Sequence, residues 1–271
     1  MTENTEHPLG PEHLAGCLAL SQAANWNQNE ADWRLMLAIG RGWGLSIGQT
    51  LVASTLVLPY GSFAWISMVL VLPEHRRKGH ASRLLRIAID DLRGSKLTPI
   101  LDATPAGREV YRHEGFADTW TFRRLALAQS QPALNGRAGR AISWRNALEL
   151  DREAFGGDRE WILRALQQRL PQCALGMRDG FVLGREGREA HQIGPLVARD
   201  ESTALALLDH ALSAAPAPVY VDVVDHAPRL QESLLARGFV LQRAFTRMVY
   251  GAGPAPGKEK LVYLVAGPEL G

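Results

Sequence analysis

The chain has 271 residues, 46% of them hydrophobic and 21% charged, with a formal net charge of +2. That is the mix of a soluble globular protein, long enough for one large domain or two ordinary ones, and the charge is too small to argue for a nucleic-acid partner. Cys17 and Cys173 stand far apart without metal-ligand spacing, so they are expected reduced and structural, with no metal. The opening MTENTEHPLG is polar and acidic, unlike a signal peptide, and no apolar run approaches membrane-spanning length. A cytoplasmic protein without a membrane partner is the expectation.

Residues 1–12 read as a tail or a short entry strand. A helix follows from His13 to Ala24, with Leu14, Cys17, Leu18 and Ser21 on one side, and a second from Glu30 to Ile39 carries Trp33, Met36 and Leu37. Gly40, Gly42 and Gly44 read as a turn. Strands at Leu45–Ile47, Leu51–Leu58 and Phe63–Leu72 then form a meander.

The next stretch, VLVLPEHRRKGHASRLLRIAIDD from Val69 to Asp91, reads as an apolar strand, a basic turn and a helix. Ala81, Leu84, Leu85, Ala88 and Ile89 recur at the spacing of a helix packed by one face. Where that helix opens, successive backbone N–H groups lack intrahelical acceptors, which makes a ready phosphate site. Gly79 lets a ligand approach the backbone, and Arg76, Arg77 and Lys78 add attraction. His75 and His80 flank the turn and are expected to face solvent. A strand at Thr98–Ala103 comes next, then a helix with Thr104 as N-cap and Pro105 in its first turn, ended by Gly115, then a strand pair through Leu127.

Residues 129–139 have linker composition, dividing the chain into 1–128 and 140–271. The second part repeats the plan: a strand at Ala141–Arg145, helices at Asn146–Phe155 and Arg159–Leu170, strands at Cys173–Met177, Phe181–Arg185 and His191–Val197, and a helix at Glu201–Ala214. Ala204, Leu207, Leu208, Ala211 and Leu212 each lie 123 positions after the stripe of the first basic-turn helix, and Gly238 and Phe239 lie 123 after Gly115 and Phe116. Two matches at one offset mark a tandem repeat. The second turn lacks the glycine and carries Asp200 and Glu201 where a phosphate would sit; Leu234 stands at the place of Tyr111.

RRKGHA fits the R/Q-x-x-G-x-G/A signature of the GNAT superfamily of acyl-CoA-dependent N-acyltransferases, which the chain therefore resembles. VLVLP before it and LDATPAGREVYRHEGF after it match that family's flanking segments. No Walker loop or dinucleotide fingerprint occurs. ADWRLMLAIGRGW, FGGDR, HQIGPLVA and RGFVLQRAFTRMVYG extend the likeness to a bacterial tandem type with a catalytic first domain and a degenerate, YitH-like second one. The resemblance implies a mixed α/β fold, with two tandem domains that are each a mostly antiparallel mixed sheet with flanking helices.

It further implies acetyl-CoA as co-substrate and direct attack by the primary amine of a small molecule. Val69, Leu70 and Val71 would hold the pantetheine arm and the oxyanion, and Arg76, Arg77, Lys78, Gly79, His80, Ala81 and Ser82 the pyrophosphate. Tyr111 would protonate the departing thiolate. Trp26, Glu30 and Asp32 would line the acceptor pocket. The family's glutamate base is missing, since Ser67 and Met68 stand nearest its place, and Asp102, matched by Asp222 in the repeat, is expected to be structural. Two alternatives stand beside this reading: a non-catalytic acyl-CoA-binding or sensor protein, and, against the near-neutral charge, HRRKGH as a nucleic-acid patch. The pattern selects no oligomeric state.

Overall fold

A computed structural model describes residues 4–129, 142–251 and 253–271. In the first half the elements run β1 (Asn4–Pro8), α1 (Leu14–Ala23), α2 (Glu30–Ile39), β2 (Arg41–Ile47), β3 (Thr50–Pro59), β4 (Phe63–Val71), α3 (His80–Gly94), β5 (Thr98–Ala103), α4 (Pro105–His113) and β6 (Phe116–Leu127). The second half runs α5 (Trp144–Phe155), α6 (Glu160–Arg169), β7 (Leu175–Met177), β8 (Gly180–Arg185), β9 (His191–Ala198), α7 (Glu201–Ala214), β10 (Val219–Val224), α8 (Pro228–Ala236), β11 (Val240–Tyr250) and β12 (Val262–Leu264). The expected mixed α/β architecture is present. Among the described residues no helix is long and apolar enough to cross a membrane.

Local differences from the sequence reading have physical causes. Gly42 and Gly44 lie inside β2 and make no turn; a Cβ on Gly42 would stand 2.2 Å from Leu56 Cδ2 and 2.6 Å from the Thr55 carbonyl, so the glycine serves close strand approach. The strand expected at Ala141–Arg145 falls partly outside the described residues, and Trp144 and Arg145 open α5. The expected linker lies outside them from residue 130 on.

β3 is buried on both faces, so its side chains alternate between two helix layers. Leu56 and Leu58 pack with Leu20 of α1 and Trp33 and Met36 of α2, while Val57 packs with Leu85, Ala88, Ile89 and Leu92 of α3. Each such side chain taken fully out of water contributes about 1.5–3 kcal/mol. The sheet between these layers runs through both halves as one, in the order β1-β2-β3-β4-β5-β11-β6-β10-β12-β9-β8-β7. The halves exchange strands to make it. β11 lies antiparallel to β5, with Ile100 opposite Val249 and Ala103 opposite Thr246, and β6 lies antiparallel to β10, with Phe122 opposite Val224. Each half thereby covers an edge the other would leave with unpaired backbone groups.

Candidate active site

β4 and β5 pair in parallel only from Phe63 opposite Thr98 to Trp65 opposite Ile100, and beyond that they part. β4 bends there because it carries one extra residue: Ser54 faces Leu70 and Leu56 faces Ser67, so Met68 and Val69 both oppose Thr55. Met68 sits at φ 51°, a conformation costly for a side chain, and its carbonyl accepts a hydrogen bond of 2.7 Å from Ser54 Oγ. The bulge switches the parity of the strand. Phe63 and Trp65 face the same core as Met68 and Leu70, odd positions before it and even ones after. Val69, Leu70 and Val71 consequently line an open groove between the parted strands.

At the wide end of the groove stands the N-terminus of α3. Gly79 is its N-cap at φ 81°, in the left-handed region, and Arg77 before it is at φ 59°. The first helical bond runs from the Arg83 N–H to the Gly79 carbonyl, and no side chain caps the end, so the amides of His80, Ala81 and Ser82 have no intrahelical acceptor. A Cβ placed on Gly79 would meet nothing within 4 Å; the space above the turn is open. Arg76 and Ala81 line the groove, with Arg76 Nε donating to the Val71 carbonyl at 3.1 Å. Arg77 and Lys78 are exposed beside the turn and Ser82 is half-buried. His80 departs from expectation: it is buried, and desolvation, helped by His75, Lys78 and Arg83, holds its pKa below the ordinary value. Among the described residues no group of three His, Cys, Asp or Glu side chains is placed to hold a metal.

Tyr111 borders the narrow end. Its helix is started by Thr104, whose Oγ1 accepts from the Gly107 N–H at 3.3 Å. The Tyr111 ring packs edge-on against Phe116 with centroids 6.2 Å apart, and a Cβ on Gly107 would stand 2.9 Å from Tyr111 Cε2, so the missing side chain at 107 makes room for the ring. Burial pushes the phenol up to about 12, and it is protonated throughout the neutral range.

Past Tyr111 the groove opens into a second cavity. Trp26, Val69, Asp102, Thr104, Tyr111 and Arg243 border both spaces. Of the side chains expected at the acceptor, only Trp26 is there. Glu30 is exposed and bonded to Arg34 Nε at 2.7 Å. Asp32 is buried in a capping box with Asn29 and pairs with Arg169 at 2.6 Å and Arg185 at 3.1 Å, tying α2 to the second half. Asp102 is held in an ion pair: both its oxygens accept from Arg247 at 2.9 Å, and that guanidinium lies over Trp65 and Trp120, 4.4 and 4.1 Å from their centroids. Burial raises the Asp102 pKa against the pull of Arg247. Asp222 is likewise held by Arg124, at 2.9 and 2.7 Å.

Further cavity wall comes from β6, from β10 and β11 of the second half, and from the segment after β12: Arg124, Tyr220, Gln242, Arg243, Phe245 and Glu269. None of these six is marked for the site by the sequence, because they stand in no site motif, and Tyr220, Gln242, Arg243, Phe245 and Glu269 lie more than a hundred positions from Tyr111. Ser67 Oγ and Glu269 Oε2 are buried there without a hydrogen-bond partner. Burial alone would raise Glu269, yet Arg185, Arg124 and a hydrogen bond from Gln28 outweigh it and hold the carboxyl below its usual range.

Residues 13–116 match the profile of the Acetyltransferase (GNAT) family, and residues 147–264 match that of the Acetyltransferase (GNAT) domain. Both halves are GNAT domains. Solved structures repeat the arrangement at low identity. A candidate acetyltransferase from Pyrococcus horikoshii superposes with a TM-score of 0.82 at 20% identity, over 100% of this chain and 97% of that one. A GCN5-related N-acetyltransferase from Sphaerobacter thermophilus gives 0.65 at 18%, over 93% and 98%. A tandem GNAT protein from the clavulanic acid biosynthesis pathway gives 0.62 at 15%, over 93% and 99%. No curated protein sequence matches the chain.

The two GNAT domains differ where it matters. In the second, β9 and β10 also pair in parallel and then part, but β12 lies between them, with Val223 opposite Leu264 and Val262 opposite Val197. The chain's own strand thus fills the space that is open in the first domain. Its helix α7 is capped by Asp200, whose carboxylate accepts from the Thr203 N–H at 2.8 Å and the Thr203 hydroxyl at 2.9 Å. The helix end that would take an anion already has one. Leu234, at the place of Tyr111, is fully buried.

Proposed function

We propose that the protein is an acetyl-CoA-dependent N-acetyltransferase in which the first GNAT domain carries the chemistry and the second is a degenerate, YitH-like copy that walls the acceptor cavity. One observation carries this reading. The uncapped amides of α3, the open groove along Val69–Val71 and the Tyr111 phenol lie on one continuous path into the acceptor cavity.

Acetyl-CoA supplies an activated thioester. The amides of His80, Ala81 and Ser82, with Arg76, Arg77 and Lys78 around Gly79, suit its pyrophosphate, and the parted edge of β4 suits its extended arm. In the transfer the amine nitrogen bonds to the acyl carbon and the C–S bond breaks with its electron pair on sulfur. The nitrogen loses a proton and sulfur gains one. Tyr111 stands at the junction where sulfur would leave. With its pKa near 12, against about 8.5 for an ordinary thiol, full proton transfer from the phenol is uphill, so its contribution is a hydrogen bond that stabilises the departing thiolate before protonation. In this reading the acceptor is a small-molecule amine.

Thiol release from acetyl-CoA across a panel of small amines tests the proposal. Tyr111→Phe should lower kcat by about 100-fold while leaving acetyl-CoA affinity within about twofold. Unchanged turnover would remove Tyr111 from the mechanism.

A further inference from the structure

Four charged side chains border the acceptor cavity: Asp102, Arg124, Arg243 and Glu269. Three are neutralised inside the protein, Asp102 on Arg247, Arg124 on Asp222 and Glu269 on Arg185. The Arg243 side chain makes no ion pair or hydrogen bond among the described residues. It is half-buried, and its nearest carboxylate in effect, Asp222, already has both oxygens on Arg124. A guanidinium stays charged under such conditions, so the cavity carries one positive charge that the protein does not answer.

The local structure holds Arg243 where it is. β11 shifts register between Leu241 and Arg243 along β6, and the displaced Gln242 donates through Nε2 to the Tyr220 hydroxyl at 3.0 Å. A bulge beside a site typically re-aims a side chain, and here it sets Arg243 on the border of both groove and cavity, next to Tyr111. An uncompensated cation at that point repels an ammonium group. It is matched by a molecule whose amine has an acidic group a few bonds away.

We propose that Arg243 is a specificity-determining residue that binds the carboxylate of an amino-acid-like acceptor and so brings its amine to Val69 and Tyr111. The planar fork of a guanidinium takes a carboxylate by two parallel hydrogen bonds. This assignment rests on the acyl-transfer reading above and names its acceptor class. It also explains what the second GNAT domain contributes, since β11, which lends Arg243 to the first domain's site, is one of the second domain's strands.

The test measures thiol release from acetyl-CoA with matched pairs, each common amino acid against its own carboxamide. The amide's amine is the less basic of the two, so ordinary reactivity at neutral pH favours the amide, and a preference for the acid must come from the site. The wild-type protein should prefer the acid of at least one pair by about 10–100-fold in kcat/KM, the range of a charge-assisted pair. Arg243→Gln should lower kcat/KM for that acid by a similar factor, chiefly through KM, and bring the acid-to-amide ratio close to one. Arg243→Lys, which keeps the charge without the fork, should recover part of the ratio. Equal loss on acid and amide would place Arg243 at the departing sulfur and overturn the proposal. So would wild-type turnover of amines with no preference for the acid, or acetyl-CoA binding without transfer to any acid. Failure to bind acetyl-CoA at all would instead strike the acyl-transfer reading itself.

Discussion

At Gly107 a single missing methyl group decides where Tyr111 can stand. The glycine sits one turn before the tyrosine on the same face of α4, and its backbone is ordinary helix, so alanine costs the helix nothing and would even favour it. The added Cβ, however, would press on the ring at 2.9 Å. Gly107→Ala is therefore expected to keep or raise Tm while lowering kcat by about tenfold, because the phenol is pushed from its place. Unchanged kcat, read alongside a thermal melt, would show that the ring's position is not set by this contact. Residues of this kind are partly legible in the sequence. Tyr111, Thr104, Arg76 and Ala81 sit in contiguous motifs and all line one groove. Glu30 and Asp32 lie away from the acceptor cavity because a carboxylate near a helix start serves capping and ion pairing equally well. Arg243 and Glu269 have no motif to announce them.

Helix α4, which carries Tyr111, is fastened by charge to the strand after it. Asp118 accepts from Arg108 Nε with both oxygens at 3.1 Å, and Arg112 reaches the same carboxylate. The hydrogen bond from Arg108 leads in holding the Asp118 carboxyl low, at about 2, against the opposing effect of burial and with help from Arg112. A depressed acid stabilises the fold above its unfolded pKa, near 3.9, and that contribution is lost as pH falls through the folded value. Asp118→Asn should accordingly lower Tm at pH 5 to 7, and the gap between variant and wild type should close between about pH 4 and pH 2. A gap that persists at pH 2 would mean that packing, not the ion pair, fastens α4. The elements themselves are readable from periodicity and turn chemistry, α3 and α7 above all, because amphipathic spacing is a local property. β2 reads short in the sequence, since its glycines mimic a turn when their tight strand neighbours are not known.

Taken whole, the molecule is a duplicated fold, two GNAT domains in one chain. Strand exchange ties the two GNAT domains into one sheet, so β11 lends Arg243 to the first domain's groove and the second half adds Tyr220, Gln242, Phe245 and Glu269 to the cavity wall. The duplication is visible in the sequence as a constant offset, but strand exchange is not: pairing partners of equal hydrophobic pattern are interchangeable in sequence, and only the three-dimensional connection chooses between them. The proposed division of labour rests on two fillings in the second domain, β12 between its parted strands and the Asp200 carboxylate at its helix end. Calorimetric titration of the full chain with acetyl-CoA asks about this most directly. A single binding event with one molecule per chain is the expected result, whereas two molecules per chain, or none at millimolar ligand, would contradict it.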